Sequence, residues 1–169
     1  MTHEKVGQGT YGCVFKPSLP CEEDIDSYEN KVSKLMYNIY ANNELMLYND
    51  LNNIEGLDKY AITQPIKCSP KDSNEVKSSI KQCYKGKNYN TENFSILIYE
   101  DGGKNLVQFL SIDNFRELKS QGQDLKEILI NFLKSLTNLI DGLLFFKTKN
   151  IVHRDIKAEN IVYNFITKK

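Results

Sequence analysis

The segment IVHRDIKAEN, residues Ile151–Asn160, decides how the rest of this 169-residue chain is read. One short polar insert carries Asp155, Lys157 and Asn160, set between the apolar pairs Ile151-Val152 and Ile161-Val162. That is the spacing of a phosphoryl-transfer loop. A carboxylate such as Asp155 can accept or orient the proton of an attacking hydroxyl, an ammonium such as Lys157 can neutralise charge developing on the phosphoryl group, and the amide oxygen of Asn160 can bind a divalent ion. The apolar pairs are expected to anchor the insert between short strands. His153 is expected to support it by packing and hydrogen bonding, not as a general base.

Immediately upstream the apolar period is that of a helix. Leu125, Leu129, Phe132, Leu133, Leu136, Ile140, Leu143 and Leu144 make a broad stripe, and Asp124 with Glu127 three residues on gives a box-like start. Before it, Leu106–Leu110 reads as a short helix followed by a polar connection through Gly122.

The first hundred residues read differently. HEKVGQGTYGCVFKP gives a strand, a glycine turn and a second strand ended by Pro17; Ser18–Glu29 is an acidic loop. A third strand is expected over Lys31–Met36, with Val32 and Lys34 on one face and Ser33 and Leu35 on the other. A helix over Ala41–Asn52 would align Glu44, Leu47, Tyr48 and Leu51, with Gly56 at its end. Two more strands are expected at Tyr60–Ile66 and Phe94–Tyr99, with the Lys/Ser/Asn-rich stretch between them looping out. Asp101-Gly102-Gly103 stops the last strand and forms the joint between a strand-rich and a helical part.

Twenty-two basic and twenty-two acidic residues cancel, which gives no reason to expect a nucleic-acid partner. Cys13, Cys21, Cys68 and Cys83 lack close C-x-x-C pairing and read as free thiols in a reducing compartment. No signal peptide is recognisable, and wholly apolar runs such as Leu143–Phe146 are too short to cross a bilayer, so no membrane is expected.

The glycines of GQGTYGCV, Gly7, Gly9 and Gly12, let a turn approach phosphate oxygens and expose backbone N–H donors. Alone they also fit a dinucleotide fingerprint or a turn without a ligand. A dinucleotide site expects a helix after the glycines, whereas Cys13-Val14-Phe15-Lys16 continues as a strand. Lys34 on its strand can hold inner phosphates, with Glu44 as the acid that fixes it. Lys31 and Glu55 are their competitors.

Together these motifs resemble the eukaryotic-type serine/threonine protein kinase family, closest in pattern to kinases of large DNA viruses. The pattern G-x-G-x-x-G-x-V falls on Gly7–Val14, and the Asp, Lys and Asn of the catalytic loop fall on Asp155, Lys157 and Asn160. The resemblance implies an α+β, kinase-like fold: a partial kinase domain over 1–169, with residues 1–100 as an antiparallel N-terminal lobe carrying one helix. Residues 101–105 would be the hinge and 106–169 the start of the helical C-terminal lobe. It implies ATP and Mg²⁺ as cofactors. Val6, Gly7, Gln8, Gly9, Thr10, Tyr11, Gly12, Val14, Val32 and Lys34 would surround the nucleotide. Tyr99 would be the gatekeeper, and Glu100 and Asp101 would offer backbone groups to adenine. Asp155, Lys157, Lys34 and Glu44 would be catalytic and Asn160 the metal ligand.

The resemblance further implies a protein substrate with Ser or Thr hydroxyls, since Lys157 matches the serine/threonine pattern and Arg154 separates the loop from the His-Gly-Asp of small-molecule phosphotransferases. The glycine hairpin, Lys34 and the Asp155–Asn160 loop are expected to serve one triphosphate. The Asp-Phe-Gly motif does not occur in the sequence. A fragment, a split or truncated product, or a degenerate kinase-like binding module are the readings this leaves, with a partner chain covering the apolar stripe. The expected location is cytoplasmic, in a host cytoplasm or virion if viral.

Overall fold

The computed structural model describes residues 3–61, 64–84 and 90–164. The chain divides into two compact units, Met1–Leu57 with Ile62–Asp101, and Asp58–Ala61 with Gly102–Lys169.

The first unit is built on a five-stranded antiparallel sheet in the order β1-β2-β3-β5-β4. Its strands are β1 (Glu4–Gln8), β2 (Gly12–Lys16), β3 (Lys31–Tyr37), β4 (Ile66–Cys68) and β5 (Phe94–Glu100). Helix α1 (Asn38–Asn52) follows β3 directly, and α2 (Asn74–Cys83) lies between β4 and β5. Alternation sorts the side chains into two layers. Register pairs Cys13 with Leu35 and Leu35 with Ile96 on one face, and Val14 with Lys34 and Lys34 with Leu97 on the other. In β5 the residues Ile96, Leu97 and Ile98 are all buried, as a central strand covered on both faces requires.

The first layer packs Cys13, Phe15, Leu35, Ile96 and Ile98 against Val76, Ile80 and Cys83 of α2. This corrects, over Asn74–Cys83, the reading of the stretch between Ile66 and Phe94 as an outlying loop; residues 85–89 of that stretch lie outside the described residues. The Ser73 side chain caps α2 by accepting from the Val76 N–H, and Val76, Ile80 and Cys83 form a stripe too short to stand out of its polar surroundings. The expectation of free thiols is also corrected: Cys13 is bonded to Cys83 and Cys21 to Cys68. These partners lie 70 and 47 residues apart, so only the folded chain reveals the pairing.

On the opposite face Met36, Ala41 and Leu97 are buried, with Leu45 and Tyr99 packed against them. Helix α1 starts at Asn38 and turns Ala41 and Leu45 to the sheet, whereas Leu47, expected on the packed side, is 65 % exposed. The strand expected over Tyr60–Ile66 is displaced: Leu57–Lys59 forms a 3₁₀ turn and the strand runs over Ile66–Cys68. Ile62 and Thr63 lie outside the described residues.

The second unit contains a small antiparallel pair, β6 (Lys104–Asn105) with β7 (Val162–Tyr163), and helices α3 (Leu106–Phe109), α4 (Ile112–Ser120) and α5 (Leu125–Thr148). Its core is Phe109, Leu118, Ile128, Phe132 and Tyr163. Asp124 caps α5 as expected, its carboxylate accepting from the N–H groups of Lys126 and Glu127 at 2.9 and 3.3 Å. The polar connection expected before Gly122 is instead largely α4. The Ser111 side chain caps it by accepting from the Asn114 N–H, and Asn114 and Leu118 are buried. Gly103 has a φ of +89°, and a Cβ there would lie 2.5 Å from the Tyr163 carbonyl oxygen, so the close return of β7 requires glycine. Ile151-Val152 forms no strand and Val152 is 73 % exposed; of the two flanking pairs, only Val162 enters a ladder.

Only part of the α5 stripe is buried. Ile128 and Phe132 are covered, while Leu133, Ile140 and Leu144 are each more than half exposed. Among the described residues α5 is the one helix long and apolar enough, by length and composition, to cross a bilayer, a test that the core helix of a globular protein also passes. Taken as a whole helix, it exceeds the short uninterrupted runs on which the expectation of no membrane rested.

The fold is therefore α+β and kinase-like in its order, an antiparallel sheet with a helix inserted after the third strand and then helices, but the first unit carries two helices, α1 and α2, where one was expected.

Candidate active site

In the first unit the glycine segment is the β1–β2 turn, closed by the Gly9 N–H donating to the Gly12 carbonyl at 2.9 Å. Gln8 faces Cys13 and Gly7 faces Val14 across the hairpin, while Thr10 and Tyr11 sit exposed at its tip. The three glycines have different neighbours. A Cβ at Gly12 would stand 2.4 Å from the Leu35 carbonyl oxygen, so the fold itself needs glycine there. At Gly7 the nearest atom would be 3.7 Å away and at Gly9 4.0 Å, so neither position is fixed as glycine by packing.

Val14, Val32, Lys34 and Tyr99 share the α1 face of the sheet through the register Val14–Lys34 and Val32–Tyr99. The Lys34 ammonium donates to the Glu44 carboxylate at 2.6 Å, and the other Glu44 oxygen accepts from the Tyr99 hydroxyl at 2.5 Å. Lys34 and Glu44 are each about three-quarters buried, which shields the pair from solvent more than an ordinary surface ion pair. Because β3 runs straight into α1, ten residues suffice to bring the two together. The competing lysine, Lys31, pairs with Glu100 at the outer end of β3.

Tyr48 on α1 joins this group, its ring 6.2 Å from that of Tyr99. Burial, the hydrogen bond to the Glu44 carboxylate and the neighbouring Tyr48 push the Tyr99 phenol far above its ordinary range. Burial and the Glu44 charge raise Tyr48 as well. Asp101 pairs with Lys16, and its N–H donates to the Asn30 carbonyl at 2.8 Å. A hydroxyl network of this kind leaves little trace in a sequence, since Tyr48 is one of 10 tyrosines.

In the second unit the His153–Asn160 loop folds around Asp155. The Asp155 carboxylate accepts from the Asn160 amide at 2.7 Å and lies 3.3 Å from the Lys157 ammonium, and the same amide nitrogen reaches the Asp155 carbonyl at 3.0 Å. The Asp155 N–H donates to His153 Nδ1 at 3.4 Å, a hydrogen-bonding role for an exposed histidine. Arg154 takes a φ of +65°, the left-handed conformation that turns the backbone just before Asp155. Lys157 and then Asn160 hold the Asp155 carboxyl below the usual carboxylate range, so it is ionised near neutrality. The Asn160 Oδ1 takes part in neither amide bond to Asp155, which leaves the chemistry of this donor set compatible with a divalent ion.

Cys21, Glu23 and Cys68 lie close enough together for metal ligation, but both sulfurs are joined in the disulfide and the Glu23 carboxylate accepts from the Ser69 N–H.

Comparison by sequence finds no matching protein-family model and no matching curated protein. Comparison by structure finds a crystal structure of a kinase domain, 18 % identical, with a TM-score of 0.48, matched over 94 % of this chain and 38 % of that one. The chain thus spans well under half the length of the kinase domain it matches.

Proposed function

We propose that this chain is an ATP-binding, kinase-type protein whose complete activity is transfer of the γ-phosphoryl group to protein serine or threonine hydroxyls. The observation that carries the reading is the largely buried Lys34–Glu44 pair on the sheet face bordered by the glycine hairpin. A lysine oriented by an acid in this way can grip nucleotide phosphates, while Gly7, Gly9 and Gly12 bring backbone donors to them. Val6, Gln8, Thr10, Tyr11, Val14, Val32 and Tyr99 border the nucleotide in this reading, with Glu100 and Asp101 beside the adenine. Asp155 orients the substrate hydroxyl and Lys157 offsets charge on the phosphoryl group. Asn160 holds Mg²⁺, which neutralises phosphate charge when bound.

The test is Mg²⁺-dependent ATP binding by calorimetry, together with phosphate transfer to serine- and tyrosine-containing protein. Lys34→Met is expected to lower ATP affinity at least tenfold, and Asp155→Asn to abolish transfer while leaving binding within about twofold. Wild-type binding that Lys34→Met does not change would refute the nucleotide site. Transfer unchanged in Asp155→Asn would refute the role of Asp155.

A second reading is a non-catalytic nucleotide- or protein-binding module, in which the Lys34–Glu44 pair and glycine hairpin of the first unit serve binding alone. ATP binding without transfer is its signature.

A further inference from the structure

The glycine hairpin is held from outside by a segment that the nucleotide reading does not use. At its tip, the Tyr84 hydroxyl donates to the Tyr11 carbonyl at 3.2 Å. At its base, the Cys13–Cys83 disulfide ties β2 to the last residue of α2, and the Gln8 side-chain amide donates to the Cys83 carbonyl at 3.5 Å. The Tyr84 ring is itself fixed, with its centroid 4.9 Å from Tyr37 and 5.2 Å from Phe94. The Tyr11 ring meets Tyr40 of α1 at 5.0 Å. The tip is therefore clasped between the end of α2 and the start of α1, the helix that carries Glu44.

We propose that the C-terminal end of α2 is a positioning element for the glycine hairpin, with Tyr84 setting its tip and the Cys13–Cys83 disulfide fixing its base, so that this segment tunes how tightly a nucleotide triphosphate is held. The inference rests on the nucleotide reading above and adds to it a control acting on the phosphate end alone. A glycine-rich turn has many conformations, and only those that aim its N–H groups inward can meet phosphate. Ordering the turn before the ligand arrives removes part of the entropy lost on binding. Tyr84 does this without being a catalytic residue, because it touches the hairpin and not the reacting atoms.

The experiment compares the full chain with Tyr84→Phe and with Cys13→Ala/Cys83→Ala, measuring affinity for Mg²⁺-ATP and for adenosine, and amide exchange over residues 8–12 without ligand. Tyr84→Phe removes the hydroxyl and keeps the ring contacts. It is expected to weaken ATP binding about threefold, to leave adenosine binding and thermal stability unchanged, and to speed exchange at the tip. The double alanine variant is expected to speed exchange further. A merely structural role would move ATP and adenosine equally, and that result overturns the proposal, as does unchanged exchange in Tyr84→Phe. Should the wild type bind no ATP, the nucleotide reading fails. Exchange over residues 8–12 then still decides whether α2 holds the hairpin.

Discussion

Replacing Gly12 by alanine separates a glycine that the fold demands from one that a ligand demands. The new Cβ would stand 2.4 Å from the Leu35 carbonyl oxygen and 3.0 Å from the Met36 Cβ. That is about 1 Å inside ordinary contact with a backbone atom of β3, which cannot swing aside as a side chain can. Strands β2 and β3 must separate, yet Cys13 and Leu35, paired beside this point, are fully buried. Overpacking costs about 1–3 kcal/mol, and an obstacle in the backbone puts this site at the upper end. The lost flexibility of the unfolded chain returns about 0.4–1 kcal/mol, leaving a net destabilisation of about 2 kcal/mol. Thermal melting followed by circular dichroism should then show Gly12→Ala falling by roughly 4–8 °C. Gly9→Ala meets nothing closer than 4.0 Å and should melt within about 2 °C of wild type, or slightly higher, while losing ATP affinity. Equal stability of Gly12→Ala and wild type, or equal destabilisation by both variants, would refute the reasoning.

Three further outcomes follow from the same geometry. Tyr99 and Tyr48 have raised phenol pKa values, so the folded chain binds their protons more tightly than the unfolded chain. Stability from this source is complete below about pH 10 and declines as pH rises above it; Tyr99→Phe should flatten the decline, and early phenolate absorbance from both residues in the folded chain would contradict it. Carbon-detected titration should find Asp155 below the ordinary carboxylate range, and Lys157→Ala should move it upward; no movement would remove Lys157 as the chief cause. Phe132 is 7 % exposed, with ring centroids 5.0 Å from Phe109 and 5.3 Å from Tyr163. Phe132→Ala should therefore cost about 3–5 kcal/mol, read as faster amide exchange across α5 with the β1–β5 sheet unaffected, and uniform loss across both units would count against separate cores.

Legibility in the sequence followed the range of the interactions. Strands β2, β3 and β5 carry period-two or continuous apolar patterns, and α5 has both a cap and a long stripe, so local signals located them well. The pairing of Lys34 with Glu44 was expected from a motif, and the structure supplies its distance. Helices α2 and α4 were missed because each buries only two to four residues within a polar segment. Their caps, Ser73 and Ser111, were the available signals.

The sequence by itself determined the glycine turn, the sheet-then-helix order and the Asp155–Asn160 loop, because these depend on residues a few positions apart. Tertiary structure alone decided which cysteines meet, which glycine is sterically required, and that Tyr99 completes the Lys34–Glu44 pair. Each of these joins residues from different strands or helices, and strand order and register, which set those meetings, are properties of the packed chain as a whole.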